Sequence, residues 1–328
     1  MNKVFFLQDF AKLKEASEKI FSHFYPTGSN LTVKIHFGEI GNRTALTPKE
    51  IQPLVEPFNP HQNPLTFFDT CVMYHSPRSK PLTHKILART KGWNKLGKIK
   101  IGQEFQSFKA KDLEVEVAKD LIEIQGALVV SHVKGHPLAG FGGAIKNLGM
   151  GGVSPQTKKD IHCLGKPRFI GHCQGCGVCV EVCPFGAVAL VDNQAEFKDQ
   201  SCFGCSLCVM KCPHHCLATR KATFDDLLAQ SAITVVKHLP KKTFYVNFLK
   251  KITKLCDCAT NAGEIVASDI GVLFSQNPVA IDQASLDLIN RESKENLFEK
   301  VNRKDPYLQV KYAAKYLKSG LDYQLERI

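Results

Sequence analysis

The feature that most constrains this chain is one cysteine spacing used twice. "CQGCGVCVEVCP" (173–184) and "CFGCSLCVMKCP" (202–213) both read Cys-x2-Cys-x2-Cys-x3-Cys-Pro. Three cysteines so close together wrap a tight loop around one small inorganic body and offer it three sulfurs. The fourth, followed by proline, starts down the other side of the fold. Pro184 and Pro213 turn the chain away and remove a competing N–H. The small residues Gly175, Gly177, Gly204 and Ser206 let backbone amides approach the same body.

This run is the ligand pattern of four-iron clusters, and where two clusters are present the fourth cysteine serves the opposite one. The spacing assigns Cys173, Cys176, Cys179 and Cys212 to one [4Fe-4S] cluster. Cys202, Cys205, Cys208 and Cys183 go to the other. Zinc is the competing occupant, but it takes cysteines as separated pairs, not as triple runs ending in Cys-Pro. The segment resembles bacterial-type ferredoxins with two four-iron clusters, at all eight ligand positions. That resemblance implies an external donor or acceptor of the ferredoxin or flavoprotein type. Two clusters in a row make a wire, and a wire needs a terminus.

The remaining cysteines are Cys71, Cys163, Cys216, Cys256 and Cys258, out of 13 in all. Cys71, Cys163 and Cys216 read as bystanders. Cys256 and Cys258, in Cys256-Asp257-Cys258, are not expected to hold one ion together.

On either side of the cysteines the pattern is α/β. "LTVKIHFG" puts Leu31, Val33, Ile35 and Phe37 on one face and Thr32, Lys34 and His36 on the other, the period of a strand. Thr47 and Pro48 open a helix as N-cap and first residue. "PLTFFDT" is a short strand ending near Asp69, a helix follows around 82–90, and "GALVVSH" is an apolar run of the kind buried on both faces of a parallel sheet. After residue 220 come a helix (224–237), strands at 244–249 and in "IGVLFS", a helix opened by Asn277-Pro278, and a last helix around 306–317. The expected fold class is therefore α/β, with a mostly parallel sheet formed by 1–165 and 221–328. Residues 166–220 are expected as a small α+β ferredoxin-like insertion. A chain of 328 residues has room for both.

A second constellation lies just after the apolar strand. "SHVKGHPLAGFGGAIKNLGMGG" (131–152) joins two histidines and two lysines to a glycine-rich turn. Open α/β sheets bind ligands at the carboxyl ends of their strands. Gly140, Gly142 and Gly143, before a helix, would let a ligand approach the backbone and the helix N-terminus. The glycine spacing is not the dinucleotide fingerprint. His132, Lys134 and His136 would share one face if extended, with Lys146 on the next helix. Lys134 and Lys146 suit an anionic small molecule. His132 or His136 would handle protons or ligate a metal. Three other stretches are expected to converge there: His36 with Glu39 and Asn42, Asp69, and Asp257 between its two cysteines. Asp282, in the first turns of a helix, reads as macrodipole compensation.

"VKIHFGEIGN", "HVKGHPLAGFGGAIKNLGMG", "CDC" and "DIGVLFSQNPVAIDQASLDLIN" together resemble the domain of unknown function 362 family, over nearly the whole chain. The resemblance implies an α/β domain carrying an inserted two-cluster ferredoxin segment, and it names no reaction. A more distant likeness of fold, to lactate racemase, has no motif that aligns, so no residue is carried across.

The expected function is an oxidoreductase passing electrons through the two clusters to a site in the α/β domain. The alternatives are a non-catalytic electron carrier and a redox-sensing or binding protein. The net charge of +12 would admit nucleic acid, but two clusters remove roughly four units and the basic residues are scattered. A solvated surface is expected, not a nucleic-acid one. No apolar run is long enough to span a bilayer. The start, "MNKVFFLQDF", meets acid and lysine early and reads as a strand, not a signal peptide. A cytoplasmic location is expected.

Overall fold

The computed structural model describes residues 1–21, 31–58 and 65–328. Its body is an eight-stranded sheet. In chain order the strands are β1 (Asn2–Leu7), β2 (Leu31–Ile35), β3 (Thr66–Thr70), β4 (Lys98–Gly102), β5 (Gly126–His132), β6 (Thr243–Leu249), β7 (Gly271–Ser275) and β8 (Tyr323–Arg327). Across the sheet they run β8-β1-β7-β6-β5-β2-β3-β4. Every neighbouring pair is parallel except those made by β7, which is antiparallel to β1 and β6. The fold class is therefore α/β with a mostly parallel sheet, as expected.

Chain order reverses between β2 and β5. β2, β3 and β4 step outward to one edge, while β5 and β6 step the other way. A crevice opens at such a reversal, beyond the carboxyl ends of the strands. His36, Asp69 and His132 lie at those ends.

Alternation along β5 explains why it reads as continuously apolar. Leu128 and Val130 pack into one core with Phe37, Phe67 and Trp93. Val129 packs into the other, with Val133, Ile145, Leu228 and Val279. Helices α1 (Leu13–Phe21), α2 (Pro48–Val55) and α3 (Pro81–Thr90) lie toward the first core. The second is covered by α4 (Ala144–Gly151), α5 (Pro155–Leu164), α8 (Phe224–His238), α9 (Pro278–Ser293) and α10 (Tyr307–Leu317). Thr47 caps α2 through a full capping box with Glu50, and Asn277 caps α9 ahead of Pro278. None of these helices is long and apolar enough to cross a membrane.

Between α5 and α8 lies the cysteine segment. It has two short helices, α6 (Val178–Val182) and α7 (Leu207–Met210), and a hairpin of Val188–Val191 with Gln194–Phe197. Its two ends pair as Pro167–Phe169 with Leu217–Thr219. The Arg220 amide donates to the Lys166 carbonyl at 2.8 Å, so the segment leaves and returns at one point. It is pinned to the body by Lys304, fully buried, which pairs with Asp225 at 2.6 Å and donates to the Cys205 carbonyl at 2.8 Å.

Candidate functional site

A cavity of about 340 Å³ occupies the crevice at the strand-order reversal. That is near the lower end of the roughly 300–1,000 Å³ usual for small-molecule sites. Its wall brings together His36, Asp69, His132, His136, Gly142, Gly143, Lys146, Cys256, Asp257 and Cys258. The convergence expected of these separated stretches is present. Lys134 and Gly140 do not reach the wall, whereas Lys34, Tyr74, Arg78, Asn147 and Lys158 do.

Two buried charge networks organise the wall. In the first, Asp69 receives Lys34 Nζ at 3.1 Å and Arg78 Nη2 at 3.0 Å. Lys34 also donates to Asn147 Oδ1 at 2.7 Å, and Arg78 Nη1 stands 3.8 Å from Glu39. Burial would raise the Asp69 carboxyl, but Lys34 and Arg78 hold it far below the ordinary range. Lys34 was the polar face of a strand in the sequence, and that face points into the site. Lys158 donates to Thr70 Oγ1 at 2.7 Å and to the Cys71 carbonyl. Burial, first of all, pulls its ammonium down to about 7.

In the second network, Asp257 accepts from His132 Nδ1 at 2.8 Å and from Lys134 Nζ at 2.7 Å. His132 Nε2 donates to the Lys250 carbonyl at 2.7 Å. Both ring nitrogens therefore face acceptors. This corrects the expectation that His132 would ligate a metal or move protons, because neither nitrogen is free. Lys134 also donates to the Thr44 hydroxyl at 2.7 Å and carbonyl at 3.1 Å. It is fully buried and neutralises Asp257, so it does not meet a ligand. Against the cost of burial, His132 and Lys134 hold the Asp257 carboxyl well below its ordinary value.

Two further histidines are neutral. His36 accepts the Gly38 amide at Nδ1 (3.0 Å), and its Nε2 is buried in the cavity wall with no hydrogen-bond partner among the described residues. Burial, and then Arg78, pull its ring well below the ordinary histidine range. The neutral ring therefore carries its hydrogen on Nε2. His136 accepts the amides of Leu138 and Ala139 at Nδ1, at 3.2 and 3.3 Å. Burial, followed by the Lys146 charge, keeps it neutral too.

Lys146 and Lys158 are the cavity cations with no carboxylate in ion-pair distance among the described residues. Lys158 is held by two oxygen acceptors, whereas the hydrogen-bond contact of Lys146 is Cys256 Sγ at 4.0 Å. Burial, then Arg78 and Lys34, lower Lys146 to about 8.

The glycines serve packing more than ligand approach, contrary to the expectation for the loop. At Gly143 an added Cβ would sit 2.3 Å from Asp282 Oδ1. Asp282 accepts the amides of Ala144 and Ile145 at 2.7 and 2.9 Å, so the N-terminus of α4 is already occupied by the chain's own carboxylate. Gly140, at φ +75°, lies against the backbone of Pro306. Gly142 alone of the three leaves an open face, with only Lys146 Cδ near its missing Cβ (3.3 Å).

The two thiols of Cys-Asp-Cys do not diverge. The Ala259 amide donates to the Cys256 carbonyl at 3.1 Å, so the stretch turns instead of extending. That turn joins Cys256 and Cys258 as a disulfide on the cavity side and leaves Asp257 to the second network.

The eight cysteines of the repeat are all free thiols. Cys173, Cys176, Cys179 and Cys212 line one small hollow. Burial above all raises the Cys202 and Cys205 thiols, and the nearby Cys183 adds to both. Cys216, set aside in the sequence, lies in the first hollow with its Sγ 3.5 Å from that of Cys212. Burial pushes Cys216 up to about 11. Burial acts on Cys212 as well, but hydrogen bonds from Cys216 bring it below the ordinary thiol value. Cys212 is thus the more readily ionised of the two. The lobe also reaches the cavity. Phe185, next after Cys183-Pro184, and Phe203, next after Cys202, both stand in the cavity wall with ring centroids 4.7 Å apart.

A family model described as a domain of unknown function, DUF362, matches residues 31–287. No curated protein matches. Among solved structures, a protein of Thermotoga maritima, a structural-genomics target, is similar at 10% identity with a TM-score of 0.47. The match covers 88% of this chain and 59% of that one. The lactate racemase apoprotein of Thermoanaerobacterium thermosaccharolyticum is similar at 11% identity with a TM-score of 0.35, over 76% of this chain and 50% of that one. This chain thus spans between half and three fifths of the length of these neighbours.

Proposed function

The chain belongs to the DUF362 family, and on that premise we propose that it is an iron–sulfur oxidoreductase acting on an anionic small molecule in the strand-end cavity. The observation that carries this reading is that Phe185 and Phe203 stand in the wall of the cavity that also holds His36, Lys146 and Cys256. Phe203 follows Cys202 directly, and Phe185 lies two residues after Cys183. A carrier that only docks a partner has no need of such a cavity behind its cysteines.

The residues present fit two [4Fe-4S] clusters. Eight unpaired thiols fall into two sets, with Cys212 beside Cys173, Cys176 and Cys179 and with Cys183 and Cys208 beside Cys202 and Cys205. Gly175, Gly177, Gly204 and Ser206 hold left-handed backbone in the ligand loops, which is how a short loop turns its amides inward. When bound, the clusters would accept and release single electrons near the cavity.

The cavity's own side chains supply the rest. Lys34 and Arg78 are balanced by Asp69 and Glu39, and Lys134 by Asp257. Lys158 has no carboxylate in ion-pair distance among the described residues but is tied to Thr70 and the Cys71 carbonyl, so Lys146 is the cation available to a ligand anion. His36 Nε2–H adds a neutral donor. Lys146, at about 8, is also suited to giving up a proton near neutral pH, and its proton is not held by oxygen acceptors as that of Lys158, at about 7, is. Proton handling, expected of His132 or His136, is reassigned to Lys146.

Lys146→Met is expected to weaken binding of an anionic ligand about thirtyfold, since a hydrogen bond to a charged group is worth about 2 kcal/mol. In the parent protein, affinity should be full at pH 7 and fall as the pH rises through about 8, where the free lysine loses its proton. Screening carboxylates, phosphates and other oxyanions against anaerobically reduced protein tests both binding and turnover. A compound that raises the melting temperature and reoxidises the parent, but does neither with Lys146→Met, supports the reading. Equal reoxidation of parent and variant by every anion tried contradicts it.

A further inference from the structure

The cavity wall contains one group that the reading above leaves unused, the Cys256–Cys258 disulfide. Its ring encloses Asp257 alone. The stabilisation from a cross-link grows with the length of chain it closes, so a staple of this span restrains almost nothing. Asp257 is already fixed by Lys134 and His132.

What surrounds the sulfurs is a set of proton donors. Lys146 Nζ lies 4.0 Å from Cys256 Sγ, and the Cys258 amide donates to the same sulfur at 3.4 Å. A ring nitrogen of His136 lies within 4.8 Å of both sulfurs. Two thiolates and an imidazole would also be a ligand set for a soft metal ion. The tautomer argues against that use. A ligating histidine donates its second N–H to an acceptor, whereas His136 Nδ1 accepts two amides. Nδ1 is therefore occupied, and Nε2 carries the hydrogen. That polarity makes His136 a neutral N–H donor beside the sulfurs and leaves Lys146 as the acid.

We infer that Cys256 and Cys258 form a redox-active dithiol–disulfide couple between the electron donor and the ligand of the cavity. In reduction the S–S bond breaks, each sulfur gains one electron, and each takes one proton, with the Lys146 ammonium positioned to pass them from solvent one at a time while neutral His136 keeps its N–H. The electrons come one at a time from a low-potential iron–sulfur donor. The inference rests on the proposed function for this source alone. In the return step the dithiol gives two electrons and two protons to a bound two-electron acceptor, and the disulfide re-forms. Cys256 faces Lys146 and the Cys258 amide, so it is the sulfur better supported as a thiolate. Cys258, the more exposed of the two, is the one that meets the acceptor.

The test uses the full-length protein, purified without oxygen and equilibrated in dithiothreitol buffers of stepped oxidised-to-reduced ratio. Samples are quenched in acid and alkylated, and the mass of the peptide carrying both cysteines is read. Iron and sulfide are measured on the same samples. The expected result is a reversible two-electron passage from disulfide to doubly alkylated dithiol. Lys146→Met should shift the equilibrium about tenfold toward disulfide, which is about 30 mV more negative for a two-electron couple. A peptide that stays in one state throughout overturns the inference. So does a tightly held equivalent of zinc or iron that Cys256→Ser loses. A reversible couple in protein without iron upholds the dithiol and removes its proposed donor. An inert pair in protein with full iron does the opposite.

Discussion

Asp257→Asn is expected to destabilise the fold by about 3–5 kcal/mol, the usual cost of leaving buried charge uncompensated. Asp257 is 6% exposed and Lys134 is fully buried. The carboxylate answers the Lys134 ammonium and the His132 ring at 2.7 and 2.8 Å. An asparagine keeps the volume and removes the charge, so both donors lose their counterion inside the protein. The pH dependence follows from direction. The folded carboxyl lies below its unfolded value, so its contribution is present above about pH 4 and fades as the pH falls below that. Urea denaturation at pH 7 and at pH 3 measures both effects. A gap of several kcal/mol that narrows at the lower pH is the expected outcome. A gap under about 1 kcal/mol at pH 7 would mean that the pair lies in a wetter setting.

Cys183→Ser is expected to lower the iron content from about eight per chain to about four. The more telling comparison is the double variant with Cys205→Ser. If Cys183 serves the same cluster as Cys205, the second substitution removes nothing further, and the double variant keeps about four irons. If Cys183 instead serves the run that begins at Cys173, the double variant loses both clusters and nearly all of its iron. The position of Cys183 beside Cys202 and Cys205 supports the first outcome.

Much of the frame could be read from residue order because the signals are local. The Thr47-Pro48 helix start, the double-sided burial of 126–132 and the Asn277 cap all depend on residues within one turn or strand. The strand 323–327 carries no such signal. It lies at the sheet edge, where both polar and apolar residues are tolerated. The site is harder to read, because its residues meet only through the order of the strands. Lys34 looked like a solvated alternation, yet its strand lies second from β6 with both faces covered. Arg78 follows Ser76-Pro77, in a short turn with no periodic pattern to mark it. His132 and Lys134 were correctly grouped but given the wrong task, since the partner that occupies them, Asp257, is more than a hundred residues away. The Cys-x-Cys pair closes into a disulfide across a turn between residues 256 and 259 that no pattern in the sequence marks. The glycines of 140–143 advertised a ligand loop, although two of them are there to admit Asp282 and Pro306.

The measurement that bears most directly on the account is metal and sulfide analysis of protein purified without oxygen, combined with EPR after dithionite reduction. The account predicts about eight irons and eight acid-labile sulfides per chain, with spectra of two reduced four-iron centres close enough to interact. Zinc in place of iron, or thiols that carry no sulfide, would contradict it and leave the cavity without its electron source.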